Sequence, residues 1–170
     1  KDIYAVNGST ALSDPVEVKP GDEVTYRLRY TLPSTDFEDL YFVDYLPLPI
    51  FLATEVTTFD STISNAAPAA GVAKFGPLET SYAVHGIIPT ITTSAAENSV
   101  RFDIGTFDDP NDRSTVVDLL FTVTVQNDPF ADGLYLTNQV RSHEGSTNAG
   151  DQTSDQIVQL ILQEPYLQIT

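Results

Sequence analysis

Strict period-2 alternation constrains this chain more than any other feature. Val24, Tyr26, Leu28, Tyr30 and Leu32 share one parity, and Glu23, Thr25, Arg27, Arg29 and Thr31 share the other. Successive side chains on a β-strand point to opposite faces, so this segment makes a half-buried strand of an antiparallel sheet. Pro20-Gly21-Asp22 supplies the tight turn before it. The pattern returns in Leu40, Phe42, Asp44 and Leu46, in Val100, Phe102 and Ile104, in Val117 to Val125, and in "LYLTNQV" at 134–140. No segment sustains a 3.6-residue apolar period. The spacing predicts an all-β chain of about ten strands with long loops, which is a β-sandwich with Greek-key connections. Short strands are expected at 2–6, 15–19 and 81–84, a strand through "IFLATEVTTF", and a long Ala/Ser/Pro/Gly-rich excursion over 60–80. The predicted core includes Val24, Tyr26, Leu28, Phe42, Phe121, Val123, Leu136 and Val140.

Two polar residues break the apolar parity. Asn138 falls with Leu134, Leu136 and Val140, and Asp44 falls with Leu40, Phe42 and Leu46. A buried carboxamide left unbonded costs about 1–3 kcal/mol. Asn138 is therefore either a satisfied core amide or a group whose chemistry is used. Asp44 is either a strand-end carboxylate capping the turn before Pro47 or a buried acid.

Charge excludes whole classes of partner. The formal net charge is −16, from 24 acidic and 8 basic residues. That argues against nucleic acid, whose phosphates it would repel, and against an anionic membrane surface. No apolar run approaches the length of a membrane span. Cysteine, methionine and tryptophan are all absent, which fits an oxidation-resistant extracellular protein.

The remaining constellations are less specific. Asp108, Asp109, Asn111 and Asp112, with Asp103, can offer oxygen ligands to calcium, but the EF-hand glycine and closing glutamate are missing. A solvated acidic turn accounts for the same residues. No cofactor is required. His85 and His143 have no metal-ligand spacing and read as loop residues. No G-x-S-x-G elbow or distinctive carboxylate pair points to an enzyme. Asn7 heads a formal glycosylation sequon.

Taken in order, "VKPGDEVTYRLRYTLP", "FVDYLP", "LTNQV" and "TNAGDQTSD…LQEPYLQIT" resemble the isopeptide-forming D2-type fimbrial domains and the related DUF11-like repeats of large bacterial surface proteins. The resemblance covers most of the chain, least so residues 55–100. It implies an Ig-like sandwich repeated along a stalk. It also implies a lysine near the domain's start that joins an asparagine on a late strand, promoted by a buried carboxyl. Carried over residue by residue, Lys1 matches the lysine of the "P-x-L-x-I-T-K" junction, Asp44 the acid of "D-x-L-P", and Asn138 the late asparagine. Lys74 is the next lysine candidate, and Lys19, beside a Pro-Gly turn, reads as exposed.

The resulting expectation is an Ig-like β-sandwich over 1–164, with 165–170 beginning the linker or strand of a next repeat. The chain opens directly in strand-like sequence, as an excerpt of something longer would. Its function is expected to be a structural stalk or fibre module on the bacterial cell surface, not an enzyme, with neighbouring copies as partners. An adhesin module binding a glycan or protein, cation-stabilised without a cross-link, is the alternative. An aromatic-lined groove within 55–100 would favour it.

Overall fold

The computed structural model describes residues 1–32, 37–78, 87–107, 115–127, 131–145 and 152–164. Within them the alternating segments become strands: β1 (Asp2–Val6), β2 (Glu17–Val18), β3 (Glu23–Leu32), β4 (Phe37–Tyr45), β5 (Thr58–Ile63), β6 (Val72–Phe75), β7 (Thr90–Ser94), β8 (Ser99–Phe107), β9 (Thr115–Thr124), β10 (Leu134–Gly145) and β11 (Gln152–Leu162). One sheet has the order β1-β3-β9-β6-β5, the other β2-β11-β10-β4-β8-β7. Most pairs are antiparallel; β5–β6 and β11–β2 are parallel. Chain neighbours such as β3 and β4, β8 and β9, or β9 and β10 lie in opposite sheets. The chain is therefore an Ig-like β-sandwich with Greek-key connections, as the alternation and turn spacing predict.

The inner faces meet in one core. Every predicted core residue is buried there, together with Leu119, Phe75, Phe102, Ile50 and Phe51. Tyr26 and Phe121 pack ring to ring at 5.5 Å, and Phe102 meets Phe121 at 5.4 Å. The centre of the five-stranded sheet is covered on its outer face too. There Thr25, Asp118, Leu120 and Thr122 are buried. The Thr122 hydroxyl donates to the Pro68 carbonyl, and the Leu78 N–H donates to Asp118.

Two expectations about elements are corrected. "IFLATEVTTF" is not one strand: Ala53–Glu55 form a 3₁₀ turn and β5 starts only at Thr58. Asn98, in the turn between β7 and β8, imposes this. Its side chain accepts from the Ala53 N–H and donates to the Leu46 and Phe51 carbonyls, which outcompetes a strand ladder. The 60–80 excursion is not a plain loop either, because it contains most of β5 and all of β6. β6 pairs with β9 and puts Ala73 and Phe75 into the core. The strand expected at 81–84 and the segment 165–170 lie outside the described residues.

Candidate functional site

Lys1 precedes β1, the edge strand of the five-stranded sheet, whose register sets Asp2 against Arg27 and Ile3 against Tyr26. Continuing that register brings Lys1 beside Leu28, with its side chain turned into the sandwich. Asp44 and Asn138 approach from the opposite sheet. β4 and β10 are antiparallel neighbours with Val140 opposite Asp44. Asn138, two residues away on the same face, is thus Asp44's diagonal neighbour. The parities read from sequence place both groups inward.

All three predicted residues come together. The Lys1 side chain is fully buried and its Nζ donates to Asp44 Oδ2, an ion pair with no exposed side-chain surface on either partner. Asn138 is buried with 1% exposure. Four buried side-chain polar atoms lack a hydrogen-bond partner among the described residues, and all belong to this cluster: Tyr26 Oη, Asp44 Oδ1, and Asn138 Nδ2 and Oδ1. Asn138 lies close enough to favour ionisation of both Tyr26 and Asp44, yet neither of its polar atoms meets hydrogen-bond geometry. Native interiors pair nearly all such atoms, so this concentration singles out the cluster as the candidate site.

The electrostatics follow from burial. Desolvation pushes the Lys1 amine down to about 8, against the opposing pull of the Asp44 carboxylate. Desolvation likewise raises the Asp44 carboxyl, opposed first by Lys1 and then by Asn138. Each group is thereby moved toward the neutral form. A dry amine that can be neutral, a carboxyl that can be protonated and an unbonded carboxamide are the ingredients of an amide exchange.

The other candidates fall elsewhere. Lys74 is buried on β6 but lies on a parity opposite to core residues Ala73 and Phe75, and donates to the Ser64 hydroxyl. Lys19 is exposed as expected. Asp103, on β8, is ion-paired to Arg101 at 2.6 Å. Asp108, Asp109, Asn111 and Asp112, the rest of the calcium expectation, lie outside the described residues, as does His85. Among the described residues no group of three or more His, Asp or Glu is arranged to hold a metal. His143 is not a loop residue: it belongs to β10 and stacks on Tyr41 at 4.5 Å, with the Arg101 guanidinium 3.5 Å from the centre of the same ring. Asn7 spends its carboxamide on Asp22 and on the Glu23 N–H, a turn staple. Sequence reasoning placed Tyr26 in the core and missed its place in the site. The available signal was a hydroxyl on an apolar parity, where phenylalanine would pack as well.

No family model matches the sequence, and no curated protein matches it. Among solved structures the chain is similar to BcpA, the major pilin subunit of Bacillus cereus, with a TM-score of 0.55 and 11% identity over 92% of this chain and 38% of that one. It is also similar to the C-terminal domain of the Streptococcus pyogenes antigen I/II-family protein AspA, with a TM-score of 0.50 and 18% identity over 86% of this chain and 41% of that one. At such identities the likeness is one of fold. The chain spans about two fifths of the length of each solved chain.

Proposed function

We propose that this chain is a structural stalk or fibre module of a bacterial cell-surface or fimbrial protein, locked by an isopeptide bond between Lys1 and Asn138. The observation that carries the reading is the buried Lys1–Asp44–Asn138 cluster, which holds three of the four unpartnered buried side-chain polar atoms among the described residues. The fold likeness to a pilin subunit and to a domain of a streptococcal antigen I/II-family protein supports the setting. Under this reading the module works outside the cell, and its partners are neighbouring copies in tandem or along a fibre.

The chemistry is a single self-reaction without turnover, so the chain is no enzyme in the usual sense. Within the ion pair the proton moves from Lys1 to Asp44, giving a neutral amine and a neutral acid. Lys1 Nζ attacks Asn138 Cγ, and the C–O π electrons move to Oδ1. Collapse breaks the Cγ–Nδ2 bond. The nitrogen Asn138 loses leaves as ammonia, carrying the proton that Lys1 gives up and Asp44 relays. Burial holds the reactants together, which replaces a bimolecular encounter.

Intact mass tests the reading. The folded chain is expected one ammonia lighter than its sequence. Lys1→Ala, Asp44→Ala and Asn138→Ala each keep the full mass. A folded wild-type chain of full mass would leave Asn138 as an ordinary core amide. The calcium expectation has a separate test: melting in chelator against millimolar-range calcium, where equal temperatures retire it.

A further inference from the structure

We propose that Tyr26 is a further catalytic residue of this reaction: its hydroxyl donates a hydrogen bond to Asn138 Oδ1 as negative charge develops there. The inference rests on the isopeptide reading and names the group that stabilises its oxyanion.

Three observations carry it. Tyr26 sits on β3 under Lys1, whose Nζ lies 4.8 Å from the ring centre. The ring is wedged edge-on against Phe51 at 6.1 Å and tilted against Phe121 at 5.5 Å, so the hydroxyl has little freedom to find a partner elsewhere. It has none in the resting geometry: Tyr26 is 0% exposed and its Oη is unpartnered.

An inventory of donors and acceptors then assigns the partners. Asp44 Oδ2 is taken by Lys1, which leaves Asp44 Oδ1, both polar atoms of Asn138 and the Tyr26 hydroxyl. The Asn138 NH₂ group can only donate, and Asp44 Oδ1 is the acceptor beside it. With its NH₂ turned to Asp44, Asn138 presents Oδ1 as an acceptor; Lys1 Nζ is committed to Cγ as the nucleophile, so the Tyr26 O–H is the donor left for Oδ1. Catalytic hydrogen bonds are commonly long at rest and close as charge appears, which fits a hydroxyl near but outside bonding geometry. Burial raises the Tyr26 hydroxyl far above its ordinary range, so it acts as a donor and never as a base. As Lys1 Nζ bonds to Cγ, Oδ1 carries the displaced electron pair and the Tyr26 proton leans toward it. When the Cγ–Nδ2 bond breaks, the pair returns to re-form the carbonyl. Tyr26 ends with its own proton.

The test follows ammonia loss by intact mass during cell-free synthesis of the chain, comparing wild type with Tyr26→Phe. Phenylalanine keeps the ring and removes only the hydroxyl. Loss of one preorganised oxyanion donor slows such a step about 10²–10³-fold. The expected result is a folded Tyr26→Phe chain that sheds ammonia at least tenfold more slowly, with the pH profile lowered but not shifted. A wild-type rate in Tyr26→Phe would overturn this inference and leave the isopeptide reading intact. A wild-type chain that stays at full mass would overturn both. Should Tyr26→Phe not fold, 3-fluorotyrosine at position 26 replaces it: a stronger donor is expected to speed the step, and an unchanged rate overturns the inference.

Discussion

At the scale of residues, the proposed reaction turns on where the proton of the Lys1–Asp44 pair sits. The ion pair and the neutral pair contain the same number of protons, so their balance does not depend on pH while the pair keeps one proton. Raising the pH through about 8 removes it, because burial has brought the Lys1 amine down to that value. Lowering the pH through the raised value of the Asp44 carboxyl adds a second proton and leaves an ammonium that cannot attack. The expected profile for ammonia loss is a plateau that falls on both sides, with the alkaline limb near 8. A rate that keeps climbing past pH 9 would mean that only the neutral amine matters and that Asp44 has no part. Asp44→Ala also strips the buried Lys1 amine of the carboxylate that favours its charged form, so the amine sheds its proton or leaves the core. Breaking the pair is expected to cost up to about 3–5 kcal/mol, readable as a lower urea midpoint than that of Asn138→Ala.

At the scale of elements, the outer face of the five-stranded sheet has its own lock. Arg27 on β3 and Asp118 on β9 face each other across two hydrogen bonds of 2.7 Å, and this bonding raises the Arg27 guanidinium further. Asp118 also accepts from the Leu78 N–H, and its carbonyl accepts from the Gly76 N–H at 2.7 Å. The turn after β6 is thereby drawn against the sheet. A Cβ on Gly76 would lie 2.4 Å from Asp118 Oδ2, so glycine is required here by close approach. Gly76→Ala is expected to destabilise by about 1–3 kcal/mol through overpacking. Arg27→Ala, which takes two hydrogen bonds from the buried Asp118 carboxylate, is expected to cost about 3–5 kcal/mol. Chemical denaturation of the two variants checks the order. Equal stability to wild type would reduce the pair to surface decoration.

At the scale of the whole molecule, the proposed bond joins the edge of one sheet to the interior of the other. Lys1 enters with β1 and Asn138 sits on β10, flanked by β11 and β4. Closing so long a loop stabilises by about 4–5 kcal/mol in the chain-entropy account of cross-links. For a domain of this size that is about 8–20 °C in melting temperature. Calorimetry of the cross-linked chain against Asn138→Ala is the comparison, and coincident transitions would contradict the bond's structural role. Force gives a second reading. Tension entering at Lys1 would pass through the bond to Asn138, so residues 2–137 stay folded. Single-molecule pulling of the wild type is then expected to release only chain beyond Asn138, and release of the full contour length would show that no bond is there.

The strands, their inward faces and the two polar intruders were legible because strand parity is a local property. Alternation alone put Asp44 and Asn138 with the leucines, and burial of both follows from it. Local pattern failed where a distant side chain set the backbone. Asn98 curls Ala53–Glu55 from across the sandwich, and β6 is a four-residue strand among Ala, Gly and Pro, defined by its pairing with β9. The identity of the lysine was also beyond local reading without the family resemblance. Lys1, Lys19 and Lys74 carry the same side chain, and one is exposed while two are buried against different partners. Desolvation and proximity are properties of the space between elements, not of the elements. Only the docking of β1 against β3, with β4 and β10 opposite, puts an amine, an acid, an amide and the Tyr26 hydroxyl into one dry volume.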